Sequence, residues 1–225
     1  MISLEQVTFR YPGGPEVLRG LDFRIRQGDR VGIVGPNGSG KTTLLHLIVG
    51  LLRPTSGRVV LFGRERTTEA DFRDARRRMG FVFQDADDQL FCPTVAEDVA
   101  FGPLNLGKPA DEVREIVRST LGMLGIEHLE HRVTYQLSGG EKRIVALATV
   151  LAMNPDVLIL DEPTTGLDEA TTDRVVEILD RHVPSYLVVS HDWSFLERTV
   201  SRVTRLEEGR LVPGFLGSVP RSAAR

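Results

Sequence analysis

The chain has 225 residues, enough for one sizeable α/β domain that buries about 70–75% of its unfolded surface. A net charge of −3 gives no electrostatic reason to expect nucleic acid, so duplex binding is disfavoured. Cys92 is the only cysteine, which excludes an intramolecular disulfide and a thiolate metal cluster within one chain, and fits a reducing cytosol.

The first residues, "MISLEQVTFRYP", lack the basic start and apolar stretch of a secretory leader, and none is expected. "ISLEQVTF" and "LDFRIR" (21–26) predict a small antiparallel sheet, the second run placing Leu21, Phe23 and Ile25 on one side of a half-buried strand. "LLHLIVGLL" is broken by His46 and Gly50 and is too short to cross a membrane. "RRR" (76–78) reads as a solvated helix face, and "FVF" as a strand that Gln84 ends. From Asp111, taken as an N-cap, Val113, Ile116, Val117, Leu121 and Leu124 fall near helical spacing. Ile144, Leu147, Ala148, Leu151 and Ala152 repeat that pattern in a helix that stops near Asn154 and Pro155. The interval from about 86 to 154 is therefore expected to be an inserted helical subdomain. "VGIV" (31–34), "VLIL" (157–160) and "LVVS" (187–190) do not alternate and read as strands buried on both faces of a parallel sheet. Cys92 is expected to be a small buried or interfacial side chain and Trp193 a packing residue. After Leu206, "EEGR" reads as a turn, and residues 213–225 are expected to form a disordered tail.

Two stretches carry the chemistry. "GPNGSGKTT" (35–43) follows a buried strand and opens a helix, the setting in which backbone N–H groups of a glycine-rich loop cradle phosphate. Lys41 would reach the β- and γ-phosphates of ATP and Thr42 would offer a hydroxyl to Mg²⁺. "VLILDEP" ends a strand on Asp161, which can hold Mg²⁺, and Glu162, which can polarise water. Taken alone, an acidic pair there is equally a helix cap. The expected fold class is α/β: a P-loop NTPase parallel-sheet core with an N-terminal antiparallel β subdomain and the inserted α-helical subdomain.

"GPNGSGKTT", "LSGGE", "VLILDEP", "GLD" and "SHD" occur in the order and approximate spacing of ATP-binding-cassette ATPases, which the chain resembles from residue 1 to about 212 as a single domain. The resemblance implies that Gly35, Pro36, Asn37, Gly38, Ser39, Gly40, Lys41, Thr42 and Thr43 bind ATP and that Tyr11 stacks on adenine. It implies that Leu137, Ser138, Gly139, Gly140 and Glu141 cap the γ-phosphate held by a second protomer, with Asp168 in a loop crossing the dimer interface. Glu162 would be the catalytic base, His191 would contact the γ-phosphate, and Gln84 would sense the lytic water and join Thr42 and Asp161 at Mg²⁺. The expected cofactors are thus ATP and Mg²⁺. Soluble relatives fit less well: the interval between Thr43 and Asp161 has no heptads for a DNA-repair coiled coil. An iron-sulfur assembly ATPase is the harder one to exclude, and a small-molecule kinase would leave "LSGGE" without a purpose.

The branch is carried by "GFVFQDADDQLFCPTVAEDVAFGPLNLG" (80–107), similar to ATPases of energy-coupling-factor importers, particularly those for cobalt and nickel. The resemblance implies a groove at Asp87, Asp88, Gln89, Leu90 and Phe91 that receives helices of a transmembrane scaffold, and a substrate-binding membrane subunit beside it. It implies a homodimer, peripheral on the cytoplasmic face of the cell membrane. Ile144 stands where that subgroup usually has arginine, a departure expected to alter a surface contact. The short stretch after the histidine strand leans towards the metal rather than the vitamin importers.

Overall fold

The computed structural model describes residues 1–214. Strands β1 (Ile2–Arg10) and β2 (Glu16–Ile25) form a hairpin around the Tyr-Pro-Gly-Gly-Pro turn. A bulge at Gln6, φ 51°, shifts the register between Leu4 and Val7 and lets Ile2, Leu4, Val7 and Phe9 all face inwards. Next come β3 (Arg30–Val34), helix α1 (Lys41–Val49), β4 (Ser56–Leu61), β5 (Arg64–Glu65), α2 (Glu69–Arg76) and β6 (Met79–Val82). The stretch that follows is helical: a 3₁₀ turn at Ala86–Asp88, α3 (Val95–Asn105), α4 (Ala110–Leu124), two further 3₁₀ turns and α5 (Gly139–Leu151). The chain then returns through β7 (Val157–Asp161), α6 (Glu169–His182), β8 (Tyr186–Val189), α7 (Trp193–Thr199), β9 (Arg202–Glu207) and β10 (Arg210–Pro213).

These strands make two sheets. One is antiparallel in the order β2-β1-β4-β5; the other runs β10-β9-β3-β8-β7-β6, parallel except for β10. Side chains of β7 and β8 alternate between two apolar clusters. Val157, Ile159, Leu187 and Val189 join α1 and the antiparallel sheet, while Leu158, Leu160, Tyr186 and Val188 join α5, α6 and α7. Burial on both faces is why these runs are apolar throughout. Because β3, β8, β7 and β6 are parallel neighbours, their C-terminal ends deliver residues 35–40, 190–191, 161–162 and 84 to one edge of the sheet.

Several expectations are corrected. Pro109, not Asp111, precedes the first turn of α4; Asp111 lies within that turn and pairs with Arg114. Arg76, Arg77 and Arg78 are not a free helix face, because α2 ends at Arg76. Arg76 bonds Val49 O, Arg77 bonds Leu106 O, and Arg78 bonds Asp156 and lies over Phe62. Ile144 is 2% exposed inside the helical cluster, so no surface contact is at stake. Pro213 still pairs with Thr204 in β10, and the remainder of the expected tail, 215–225, lies outside the described residues.

Candidate functional site

The loop after β3 turns into α1 through Gly40, whose φ of 100° puts it in left-handed backbone; a Cβ there would sit 2.8 Å from Val17 Cγ1. No side chain caps α1, so the free N–H groups of its first turn point into the loop as an anion cradle. Lys41 is 8% exposed and its Nζ donates to Gly35 O at 2.9 Å and Pro36 O at 3.0 Å, folding the ammonium over the loop. Burial pulls the Lys41 pKa down, opposed by the Glu162 and Asp161 carboxylates. Ser39 Oγ is buried without a partner.

Asp161 and Glu162, both buried, stand at the end of β7. Thr42 Oγ1 donates to Asp161 Oδ2 at 3.3 Å, and burial raises the Asp161 pKa against that bond and the His46 and Lys41 charges. Glu162 has left-handed backbone, φ 46°, and its N–H donates to Val189 O at 2.9 Å, which locks the turn. The His191 N–H donates to Glu162 Oε2 at 3.2 Å, while His191 Nε2 lies 3.3 Å from Oε1 without hydrogen-bond alignment. Oε1 therefore has no partner. Burial raises the Glu162 pKa, so its carboxylate is a stronger base than an exposed one.

Tyr11, Gly38, Gly40, Lys41, Thr42, Thr43, Gln84, Asp161, Glu162 and His191 line one cavity of about 670 Å³, which Asn37 also lines. Tyr11 is 44% exposed, and its hydroxyl is 3.1 Å from Thr43 Oγ1, which fixes the ring at the cavity mouth. The Thr42 hydroxyl, Asp161 carboxylate and Gln84 amide supply oxygen ligands only, the donor set of a hard cation such as Mg²⁺. Among the described residues no ion pair neutralises Asp161, so a cation there would match a buried charge.

Residues 137–141 lie off the Lys41 cavity, although Gly139 reaches a neighbouring one with Thr42, Gln84 and Asp161. Ser138 caps α5: its Oγ accepts from Glu141 N at 3.3 Å and Glu141 Oε2 accepts from Ser138 N at 2.7 Å. Glu141 is thus held by the cap, and Leu137 is buried. Ser138, Gly139, Gly140 and Glu141 share a second cavity with Asp168, which caps α6 by accepting from Thr171 N at 2.8 Å. None of residues 137–141 lines the Lys41 cavity.

In the 87–91 segment, Asp87 and Asp88 are exposed, and Phe91 is 64% exposed and edge-on to Phe101. Gln89 points inwards, donating to Ala146 O and Thr149 Oγ1 at 2.8 and 2.9 Å, and Leu90 packs partly into the core. Of the five, Gln89 is therefore a structural tie first. A groove of about 610 Å³ is lined by Asp88, Phe91, Phe101 and Met153 and also by Arg73, Arg76 and Arg77.

Sequence reasoning missed three residues. Arg143, 4% exposed, donates to Phe83 O at 2.7 Å and Gln84 O at 2.6 Å, fixing the backbone that carries Gln84. Asp98, 3% exposed, accepts from Phe91 N and Cys92 N with Oδ1 and leaves Oδ2 unpartnered in the groove wall. His46, read from the sequence only as a break in an apolar run, lines a neighbouring cavity with Thr42 and Asp161. Cys92 is half-buried with its thiol pushed up to about 11 by burial, and Trp193 packs against the core.

Known proteins align with this chain along most of its length. The ABC transporter family matches residues 18–165. "Energy-coupling factor transporter ATP-binding protein EcfA" of Methanothermobacter thermautotrophicus is 44% identical over 216 residues, covering 94% of this chain and 70% of its own. "Cobalt import ATP-binding protein CbiO" of Rhodobacter capsulatus is 46% identical over 216 residues, 94% of this chain and 77% of that one. Among solved structures, cbiO1 of Clostridium perfringens, described as part of the ABC transporter complex cbiONQ, superposes with a TM-score of 0.85. It is 36% identical and covers 94% of this chain and 86% of its own. Among the described residues, no helix is long and apolar enough to cross a membrane.

Proposed function

This chain belongs to the ABC transporter family as an ATP-binding ATPase subunit, and from that premise we propose that it powers an energy-coupling-factor importer for cobalt or nickel. The observation that carries the proposal is the separation of two half-sites. Lys41, Thr42, Asp161, Glu162 and His191 share one cavity, whereas Ser138 and Gly140 line another beside Asp168. A complete site then needs two chains face to face, each presenting its α5 N-terminus to the nucleotide of the other.

In that site the loop of residues 35–43 and Lys41 hold the phosphates, and Tyr11 covers the base. Thr42, Asp161 and Gln84 are the residues that would hold Mg²⁺, which supplies charge neutralisation on the phosphates. Glu162, with its raised basicity and one free oxygen, accepts the proton of the attacking water. His191, whose backbone N–H is hydrogen-bonded to Glu162, would offer its ring to the γ-phosphate. The Ser138 hydroxyl and Gly140 of the second chain add donors to the developing charge.

The groove at Asp88, Phe91 and Phe101 suits a helix of a transmembrane scaffold: an apolar anchor beside one exposed acid, Asp88, that a basic side chain would pair with. The chain would then lie on the cytoplasmic face of the membrane. The metal would bind the membrane subunits, since among the described residues no group of three or more His, Cys, Asp or Glu is arranged to hold one. The cobalt reading is supported by the likeness to CbiO.

The test uses the purified chain and its Glu162→Gln variant with MgATP. The wild type should hydrolyse ATP, and the variant should bind it, stop turning over and run as an ATP-dependent dimer. A variant with wild-type turnover, or one that stays monomeric at saturating ATP, would contradict the reading. Uptake of Co²⁺ and Ni²⁺ by cells with and without the chain separates the metal from a vitamin.

A further inference from the structure

We propose that Lys142 is a positioning residue for ATP turnover, its ion pair with Asp87 pinning the middle of the segment that carries Gln84 onto α5. The proposal rests on the ATPase reading above.

Residues 83–89 are fastened to α5 at three points. At the start Arg143 holds the carbonyls of Phe83 and Gln84, and at the end Gln89 bonds Ala146 O and Thr149 Oγ1. Between them Lys142 Nζ meets Asp87 Oδ1 at 2.5 Å. The outer two fastenings run through the buried Arg143 and the half-buried Gln89. The middle one is different: the Lys142 side chain is 18% exposed and that of Asp87 is 66% exposed. An enclosed cation therefore reaches out to an open acid, and among the described residues Lys142 is the one hydrogen-bond partner of the Asp87 carboxylate.

Lys142 shares a cavity of about 670 Å³ with Gln84, Thr42 and Asp161. Gln84 also lines the nucleotide cavity, so it stands between the two. With its middle unpinned, the segment would bow away from α5 and spend less time with the Gln84 amide beside Thr42 and Asp161. Alignment of reacting groups affects the chemical step more than nucleotide capture, which the loop of residues 35–43 performs by itself. The clasp should accordingly act on kcat and leave KM nearly alone.

The experiment compares the full chain with Asp87→Asn, Lys142→Met and the charge exchange Asp87→Lys with Lys142→Glu. Steady-state hydrolysis of MgATP and hydrogen exchange at the amides of Asp88, Gln89 and Leu90 are measured for each. Each single variant should lose about fivefold in kcat, about 1 kcal/mol, with KM within about twofold. The same variants should exchange those amides faster, and the charge exchange should return both readouts towards the wild type. Single variants indistinguishable from wild type, or an exchanged pair no better than the singles, would overturn the proposal. If the wild type itself fails to hydrolyse ATP, the ATPase reading falls. Amide exchange then decides separately whether the clasp holds the segment.

Discussion

Replacing Arg143 by leucine should uncouple the Gln84 loop from α5 while leaving a folded protein. The guanidinium makes two short bonds, to Phe83 O at 2.7 Å and Gln84 O at 2.6 Å. Bonds to a charged donor contribute about 1.5–3 kcal/mol each, a gross loss of about 3–6 kcal/mol. Two effects reduce it. Removing a buried cation returns part of its desolvation cost, which is the burial that lowers the Arg143 pKa. Phe83 and Gln84 are exposed, so water can reach the freed carbonyls. A net loss of about 2 kcal/mol remains, well inside the roughly 5–15 kcal/mol of a typical domain, and lowers Tm by about 4–8 °C. Turnover should fall further than stability does, by tenfold or more at 25 °C where the variant is still folded, because the backbone carrying Gln84 is no longer fixed. Lysine at this position keeps the charge but lacks the rigid fork that aims one donor at each carbonyl, and should lie between the two. Urea unfolding and steady-state ATP hydrolysis on the same preparations are the assay. A leucine variant with wild-type midpoint and turnover would refute the argument.

Three further outcomes are expected. Burial raises the Glu162 pKa in the folded chain, so stability is lost as pH rises from the ordinary carboxylate range through that raised value. Glu162→Gln should therefore be the more stable protein at pH 7–8, and the two melting temperatures should converge below about pH 4. Gly50→Ala should cost about 2–4 kcal/mol, measured by urea unfolding, since φ is 76° and the new Cβ would lie 2.1 Å from Phe72 Cδ1. Ile144→Arg should cost at least about 2 kcal/mol in the same assay, because a side chain 2% exposed among aliphatic neighbours gives way to a cation.

The parallel core was legible because burial on both faces of β3, β7 and β8 leaves continuous apolar runs, and the phosphate loop because its glycines, lysine and threonines are contiguous. Arg143 was legible too, had the helical stripe been read for intruders. It shares a face with Leu147 and Val150, where an arginine needs partners. Asp98 likewise sits between Val95 and Val99 on a buried stripe. Other features were not local. Gln89 finds its partners 57 and 60 residues along the chain, and nothing in "DDQLF" announces them. The end of α2 is set by Met79 entering a strand paired with Val157, so three consecutive arginines looked like helix when only the first is. His46 owes its place beside Asp161 to the packing of α1 against β7.

The left-handed backbone at Glu162 filters what can replace it. Glycine adopts φ of 46° freely, asparagine and aspartate do so at modest cost, and β-branched residues are strongly disfavoured there. Alanine bears the same left-handed cost as glutamate, so an alanine variant loses the carboxylate and the space its stem fills, whereas glutamine keeps the shape and removes the charge. The same filter would operate on a descendant that gave up hydrolysis but kept the fold. Freed from the chemistry and still bound by the turn, position 162 would drift towards glycine, asparagine or aspartate and away from valine and isoleucine, recording in one residue the order in which the two demands were lost.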